Sequence, residues 1–183
     1  MPNYRRNFVP GGTYFFTVVT HERRPIFTDD LARSCLRKAI QDELEVRPFD
    51  NMAICLLPDH FHTVWTLPPG DSDYPLRLNR IKAEFTRAYL KQGGTEGDTT
   101  LSRLRKGERA VWQRRFWEHT CEDEDDLKRC LDYTHWNPVK HGLVERVQDY
   151  PYSTFLKFVK LGEYPLNWGS VDPCPDYHTP EWE

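Results

Sequence analysis

Met52-Ala53-Ile54-Cys55-Leu56-Leu57-Pro58-Asp59-His60-Phe61-His62-Thr63-Val64-Trp65-Thr66-Leu67 is the stretch on which the fold turns. Two short apolar runs, Met52 to Leu57 and Phe61 to Leu67, meet through Pro58-Asp59-His60, the pattern of an antiparallel strand pair. Upstream, Gly11-Gly12 precedes Thr13 to Thr20, whose aromatic and β-branched residues read as a buried first strand. Thr28 then reads as an N-cap, and Asp29 and Asp30 suit the positive start of a helix. Ala32, Cys35, Leu36, Ala39, Ile40 and Leu44 recur at helical spacing, predicting a helix to about Val46. Downstream, Leu78, Ile81, Phe85 and Ala88 or Tyr89 repeat at intervals of three and four. They predict a second helix from Pro75 to about Lys91, stopped by Gly93-Gly94.

The next stretch, through Ala110, is polar, basic and long for a connection in a compact domain, so it reads as a binding loop or a flexible one. Phe116 to Cys121 reads as a fourth strand. Glu122 to Asp126 load the first turn of a third helix, with Leu127, Cys130, Leu131 and Thr134 facing the core and Tyr133 on the flank. Pro138 disfavours helical geometry at the residue before it, so this helix is expected to end at Asn137. A short helix around Ser153 to Leu161 and an irregular tail with Pro173, Pro175 and Pro180 complete the chain. The order βαββαβ predicts an α+β fold with a ferredoxin-like antiparallel sheet and an additional C-terminal helix carrying Tyr133. Residues 1–152 would form the main domain, and 153–183 a C-terminal helix and tail.

Composition narrows the partners less than the motifs do. With 25 Lys plus Arg against 28 Asp plus Glu, the net charge of −3 does not by itself advertise nucleic acid. The charge is unevenly placed, however: Arg103, Arg105, Lys106, Arg109, Arg114 and Arg115 face only Glu108 before Trp117, a local patch able to hold phosphates. Five cysteines without a C-x-x-C pair suit neither a disulfide framework nor a zinc ribbon and read as reduced thiols. No apolar stretch approaches bilayer length and the start lacks a secretory signal, so no membrane partner and a cytoplasmic location are expected.

The chemistry lies in two pairs. In a strand His60 and His62 project from one face while Phe61 turns to the other, so the imidazoles can converge on one ion. In a helix Tyr133 and Asn137, four apart, emerge side by side as a nucleophile and an amide-oxygen ligand. Two imidazoles and one neutral oxygen leave coordination positions open, as a catalytic site requires, and suit Mg²⁺ or Mn²⁺. A phenol with a pKa near ~10 needs activation to attack phosphorus, and the residues do not identify the proton acceptor. Attack by tyrosine on a phosphodiester would conserve the bond's energy in a covalent ester and need no ATP. Trp112, Phe116 and Trp117 beside Arg114 and Arg115 could stack on single-stranded bases or belong to the core. Each pair alone has an ordinary reading, as strand histidines, a helix-flank tyrosine or a capping asparagine; His119, His135 and His141 read as structural or DNA-facing.

Three motifs together carry a resemblance: Leu57-Pro58-Asp59-His60-Phe61-His62, Trp112-Gln113-Arg114-Arg115-Phe116-Trp117-Glu118-His119-Thr120, and Tyr133 followed by Asn137-Pro138-Val139-Lys140-His141-Gly142-Leu143-Val144. From Tyr4-Arg5-Arg6 to about Tyr152 the chain resembles the REP-associated tyrosine transposases, which are single-tyrosine HUH transposases. The resemblance implies a ferredoxin-like domain, Mg²⁺ or Mn²⁺ held by His60, His62 and Asn137, and Tyr133 as nucleophile. It implies a 5'-phosphotyrosine intermediate and recognition of short palindromic hairpins in single-stranded DNA with a guide tetranucleotide. Tyr4, Arg5 and Arg6 would lie near that guide, and Arg103, Arg105, Lys106, Arg114 and Arg115 are further candidate DNA contacts. The implied setting is a bacterial cytoplasm at the nucleoid, with monomer and homodimer both open. A hairpin-binding protein that has lost cleavage, and a small zinc hydrolase, are the rival readings.

Overall fold

The computed structural model describes residues 6–169; Tyr4, Arg5 and the proline-rich tail lie outside them. Strands β1 (Thr13–Val19), β2 (Asp50–Leu56), β3 (His60–Thr66) and β4 (Trp117–Thr120) form an antiparallel sheet in the order β2-β3-β1-β4. Helices α1 (Asp30–Val46) and α2 (Tyr74–Lys91) are the two crossovers, which makes the fold ferredoxin-like. A short α3 (Leu101–Arg105), then α4 (Glu124–Lys140) and α5 (Phe155–Leu161), complete the chain.

Period-two alternation divides the sheet into two chemistries. Tyr14, Phe16, Val18, Phe61 and Trp65 pack with Leu36, Ile81 and Phe85 of α1 and α2 into one aromatic-rich core. On the other face Phe15 and Val64 meet Cys130 and Tyr133 of α4, closed over by Phe155, Phe158 and Tyr164. The register pairs Thr17 with His62 and Val19 with His60, so both histidines enter this second layer.

Four local expectations change. The cap of α1 is Asp29, whose side chain accepts from the Leu31 N–H, while the Thr28 hydroxyl donates to the Pro25 carbonyl. Helix α4 runs through Pro138 to Lys140, because a proline one turn from the end removes a single bond and the carbonyls of Asn137 and Pro138 are met by the N–H groups of His141 and Leu143. Tyr133 is 2% exposed rather than a flank residue, since its ring lies against Phe15 and His62 of the sheet, while Leu127 and Leu131 are half-buried. The stretch after Gly94 is an ordered strap that holds α3 and bridges Trp112 to Thr20. Among the described residues no helix is long and apolar enough to cross a membrane.

Candidate active site

The two imidazoles are held from behind. His60 Nδ1 lies 2.6 Å from Asp59 Oδ1, and Arg23 Nη1 donates to the other carboxylate oxygen at 3.1 Å. Arg23 follows Glu22 through a left-handed turn (φ 52° and 54°), backbone strain that places the guanidinium on Asp59. Burial raises the Asp59 pKa, but the bonds from His60 and Arg23 outweigh it and hold the carboxylate below its usual range. His62 Nδ1 lies 3.0 Å from Thr17 Oγ1. The Asp59 carboxylate can only accept, so His60 Nδ1–H donates backward and Nε2 carries a lone pair forward, and the His62 tautomer with its proton on Nδ1 toward Thr17 would present its Nε2 in the same way. The ring centroids are 4.9 Å apart. His60 Nε2 is buried with no hydrogen-bond partner among the described residues.

Helix α4 brings the remaining members. Asn137 is fully buried, and neither carboxamide atom makes a hydrogen bond of ordinary geometry among the described residues, although the group sits close enough to support the protonated form of His62. That support loses: burial first, then the charges of His60, His141 and Lys140, push the His62 pKa well below the ordinary imidazole value. His62 is therefore uncharged at neutral pH. Tyr133 packs its ring edge-on to Phe15 and His62, 5.4 Å from the latter's centroid. Lys140, two helical turns on, donates to the Tyr133 hydroxyl at 2.8 Å and lies 4.6 Å from its ring. His141, past the helix end, approaches His60 at 5.3 Å between centroids. Buried polar atoms without partners are costly, and a divalent cation between His60, His62 and the Asn137 oxygen would satisfy them. The donor set thus fits the ion the motifs call for.

Asp59, Thr17, Arg23 and Lys140 were not singled out in the sequence. Lys140 could have been, since seven residues on a helix return to the same face. His135 is buried, its pKa pushed down to about 3 by desolvation, with Nε2 on Thr154 Oγ1 at 3.0 Å. Trp112 is core, against Phe27, Phe61 and Phe85.

The candidate DNA contacts divide. Arg103 points inward, donating to the carbonyls of Arg109 and Trp112. Arg114 pairs with Glu108, Arg6 lies over Phe116 at 4.2 Å and 4.0 Å from Glu118, and Arg105, Lys106 and Arg115 are exposed. Between α2 and the strap lies a cavity of about 930 Å³ lined by Lys82, Arg87, Lys91, Arg103, Arg109 and Arg114 among others. Burial and the charges of Arg103 and Arg6 bring the Lys82 pKa down to about 8.

The fold is that of a tyrosine transposase of the HUH class. The chain belongs to the IS200-like transposase family, whose model matches residues 9–137. Within it, the chain groups with the REP-associated tyrosine transposases. It is 40% identical to the REP-associated tyrosine transposase of Escherichia coli (strain K12), over 92% of this chain and 91% of that one. A relative from Haemophilus influenzae, provisionally given the same name, is 44% identical over 92% of this chain and 94% of its own. The solved structure of a REP-associated tyrosine transposase bound to a REP hairpin shares 39% identity, with 94% of each chain covered and a TM-score of 0.78.

Proposed function

We propose that this protein is a metal-dependent endonuclease and strand transferase for single-stranded DNA, acting at short palindromic hairpins of the REP type through Tyr133, in a cytoplasmic setting at the nucleoid. The observation that carries the reading is one cluster: buried His60 Nε2 and the Asn137 carboxamide without ordinary partners, His62 held neutral beside them, and the Tyr133 ring against His62. The relative solved with a REP hairpin supports the substrate class.

His60, His62 and Asn137 would hold Mg²⁺ or Mn²⁺, which when bound supplies Lewis-acid polarisation of the scissile phosphate. Tyr133 attacks the phosphorus, its oxygen forming the new P–O bond as the P–O bond to the 3'-oxygen breaks and leaves a free 3'-hydroxyl. The phenol proton is lost to solvent and a solvent proton completes the departing 3'-oxygen as a hydroxyl, while Lys140, whose Nζ donates to the Tyr133 oxygen, stabilises the phenolate as it forms. The 5'-phosphotyrosine keeps the bond energy, and attack by another strand's 3'-hydroxyl reverses the step on a new partner. The cavity lined by Lys82, Arg87 and Lys91, with the exposed Arg105, Lys106 and Arg115, would track the backbone phosphates.

A suicide oligonucleotide bearing a REP-type hairpin tests this. With Mn²⁺, the unaltered protein should form a covalent adduct stable to denaturant, and Tyr133→Phe should form none while still shifting the hairpin in a gel. An adduct formed equally by Tyr133→Phe overturns the nucleophile. Hairpin binding with no adduct in the unaltered protein leaves a binding protein that has lost cleavage. Lys140→Met should lower the adduct rate by about ten- to a hundredfold and move its pH dependence toward alkali, since the phenolate then forms unaided.

A further inference from the structure

We propose a second metal site, apart from the histidine pair, in which His119, Cys121, Asp126 and Cys130 hold a zinc ion that clasps β4 to the start of α4. It stands independently of the nuclease reading.

Trp117, His119 and Cys121 share one side of the edge strand: the rings of Trp117 and His119 stack, and the Cys121 N–H continues the pairing by donating to the Thr13 carbonyl. Asp126 and Cys130 lie four apart on α4, on one helix face. Ligand atoms of His119, Asp126 and Cys130 all lie within 4.8 Å of one another. His119 Nε2 is 2.7 Å from Asp126 Oδ2, and the sulfurs of Cys121 and Cys130 are 3.7 Å apart. That sulfur separation is far beyond the ~2.05 Å of a disulfide. It matches the roughly 3.8 Å edge of a tetrahedron with zinc–sulfur bonds of about 2.3 Å.

The plain alternative is a latch: Asp126 caps the Glu122 N–H, pairs with His119 and Arg129, and needs no ion. Of the four groups the latch uses His119 and Asp126 only, and the Cys121 and Cys130 sulfurs sit beside it in contact with each other. A cation accounts for all four. Burial raises the Asp126 pKa, but the Glu122 N–H and His119 pull it below the carboxylate range, so one ligand is already anionic. On binding, two thiols release two protons and become thiolates, giving a histidine, carboxylate and dithiolate set of the kind zinc favours. The histidine pair offers nitrogen and oxygen only, so hard Mg²⁺ or Mn²⁺ and soft zinc are sorted by ligand type. The clasp would act on the helix that carries Tyr133, three residues beyond Cys130.

The test uses the full chain, reduced and freed of metal, carrying His60→Ala and His62→Ala so that the first site is silent. Titration with Co²⁺ alone should produce a near-ultraviolet thiolate-to-cobalt charge-transfer absorption with one equivalent bound, displaced by Zn²⁺. Cys121→Ser should reduce the band by about half or more, Cys121→Ser with Cys130→Ser should abolish it, and His119→Gln should weaken cobalt binding at least about tenfold. His119 is partly exposed, so that variant keeps the test valid if Cys130→Ser fails to fold. No charge-transfer band from a chain whose thiols titrate as reduced, or a band that survives Cys121→Ser with Cys130→Ser, overturns the proposal.

Discussion

The two faces of the sheet are equally dry and chemically opposite. On β3, Phe61 and Trp65 enter the aromatic layer under α1 and α2, while His60 and His62, 1% and 0% exposed, enter the layer under α4. Among the described residues the first face holds Trp65 Nε1 buried without a hydrogen-bond partner. The second gathers His60 Nε2 and both polar atoms of Asn137 in one cluster. Each such atom costs about 1–3 kcal/mol when left unpaired, so the second face gives up stability that the first supplies by burial. An unsatisfied cluster persists when a ligand completes it and the surrounding core can carry its cost.

Adjacent residues on β3 give the sharpest way to break that contrast. His62→Gln keeps roughly the volume and should reduce Mn²⁺-dependent adduct formation by about a thousandfold or more, a loss of roughly 4 kcal/mol of transition-state stabilisation. Its melting temperature should fall less than that of Phe61→Ala, which opens a cavity between sheet and helices and should cost about 3–5 kcal/mol in denaturant unfolding. Equal destabilisation by both would mean that His62 is a packing residue. A smaller effect is expected behind the site. Asp59→Asn leaves His60 in place but weakens the group that orients it, so the Mn²⁺ concentration for half-maximal cleavage should rise about 10- to 100-fold. Cleavage at saturating metal should be nearly restored; if it is not, Asp59 does more than orient His60.

How much of this was legible follows from which periodicities are local. Strand alternation places His60 and His62 together with Phe61 opposed, and that reading needs no knowledge of what lies above the sheet. The burial of Tyr133 was not legible, because it depends on Phe15 and His62 of the sheet lying against that side of α4, while Phe158 and Tyr164 cover His135 on another, and a helix covered on more than one side loses its single apolar stripe. Pro138 misled because the bias it places on the preceding residue is only a local preference, and the bonds that the N–H groups of His141 and Leu143 make to the Asn137 and Pro138 carbonyls, with Asn137 packed in the core, outweigh it. Arg103 read as a phosphate contact because a basic run looks exposed in sequence. Only the folded strap reveals the two carbonyls that draw it inward. Asp59 sat inside the quoted motif, and its role appears only once Arg23 arrives from another segment.

The smallest effect expected concerns the other polar exception, Lys82, at the edge of the aromatic layer. Its ammonium donates to the Gln113 carbonyl at 2.7 Å, yet burial and the nearby Arg103 and Arg6 charges bring its pKa from 10.5 down to about 8. Below pH 8 native and unfolded chains both hold the proton, so the cost of the buried charge is fully present, at most about 3 kcal/mol. Between pH 8 and 10.5 the unfolded chain keeps a proton that the native one has shed, so this group makes stability climb with pH. Lys82→Met should therefore raise the melting temperature at pH 7 and flatten that climb, less the roughly 1 kcal/mol lost with the Gln113 bond. If the cavity tracks phosphates, the same variant should bind a REP-type hairpin about three- to tenfold more weakly at low salt and lower the salt slope by about one. The unaltered protein should lose affinity between pH 7 and 9, as the ammonium deprotonates, and the variant should lose less. A more stable variant with an unchanged salt slope would remove this cavity from the DNA path and leave the exposed Arg105, Lys106 and Arg115 to hold the backbone.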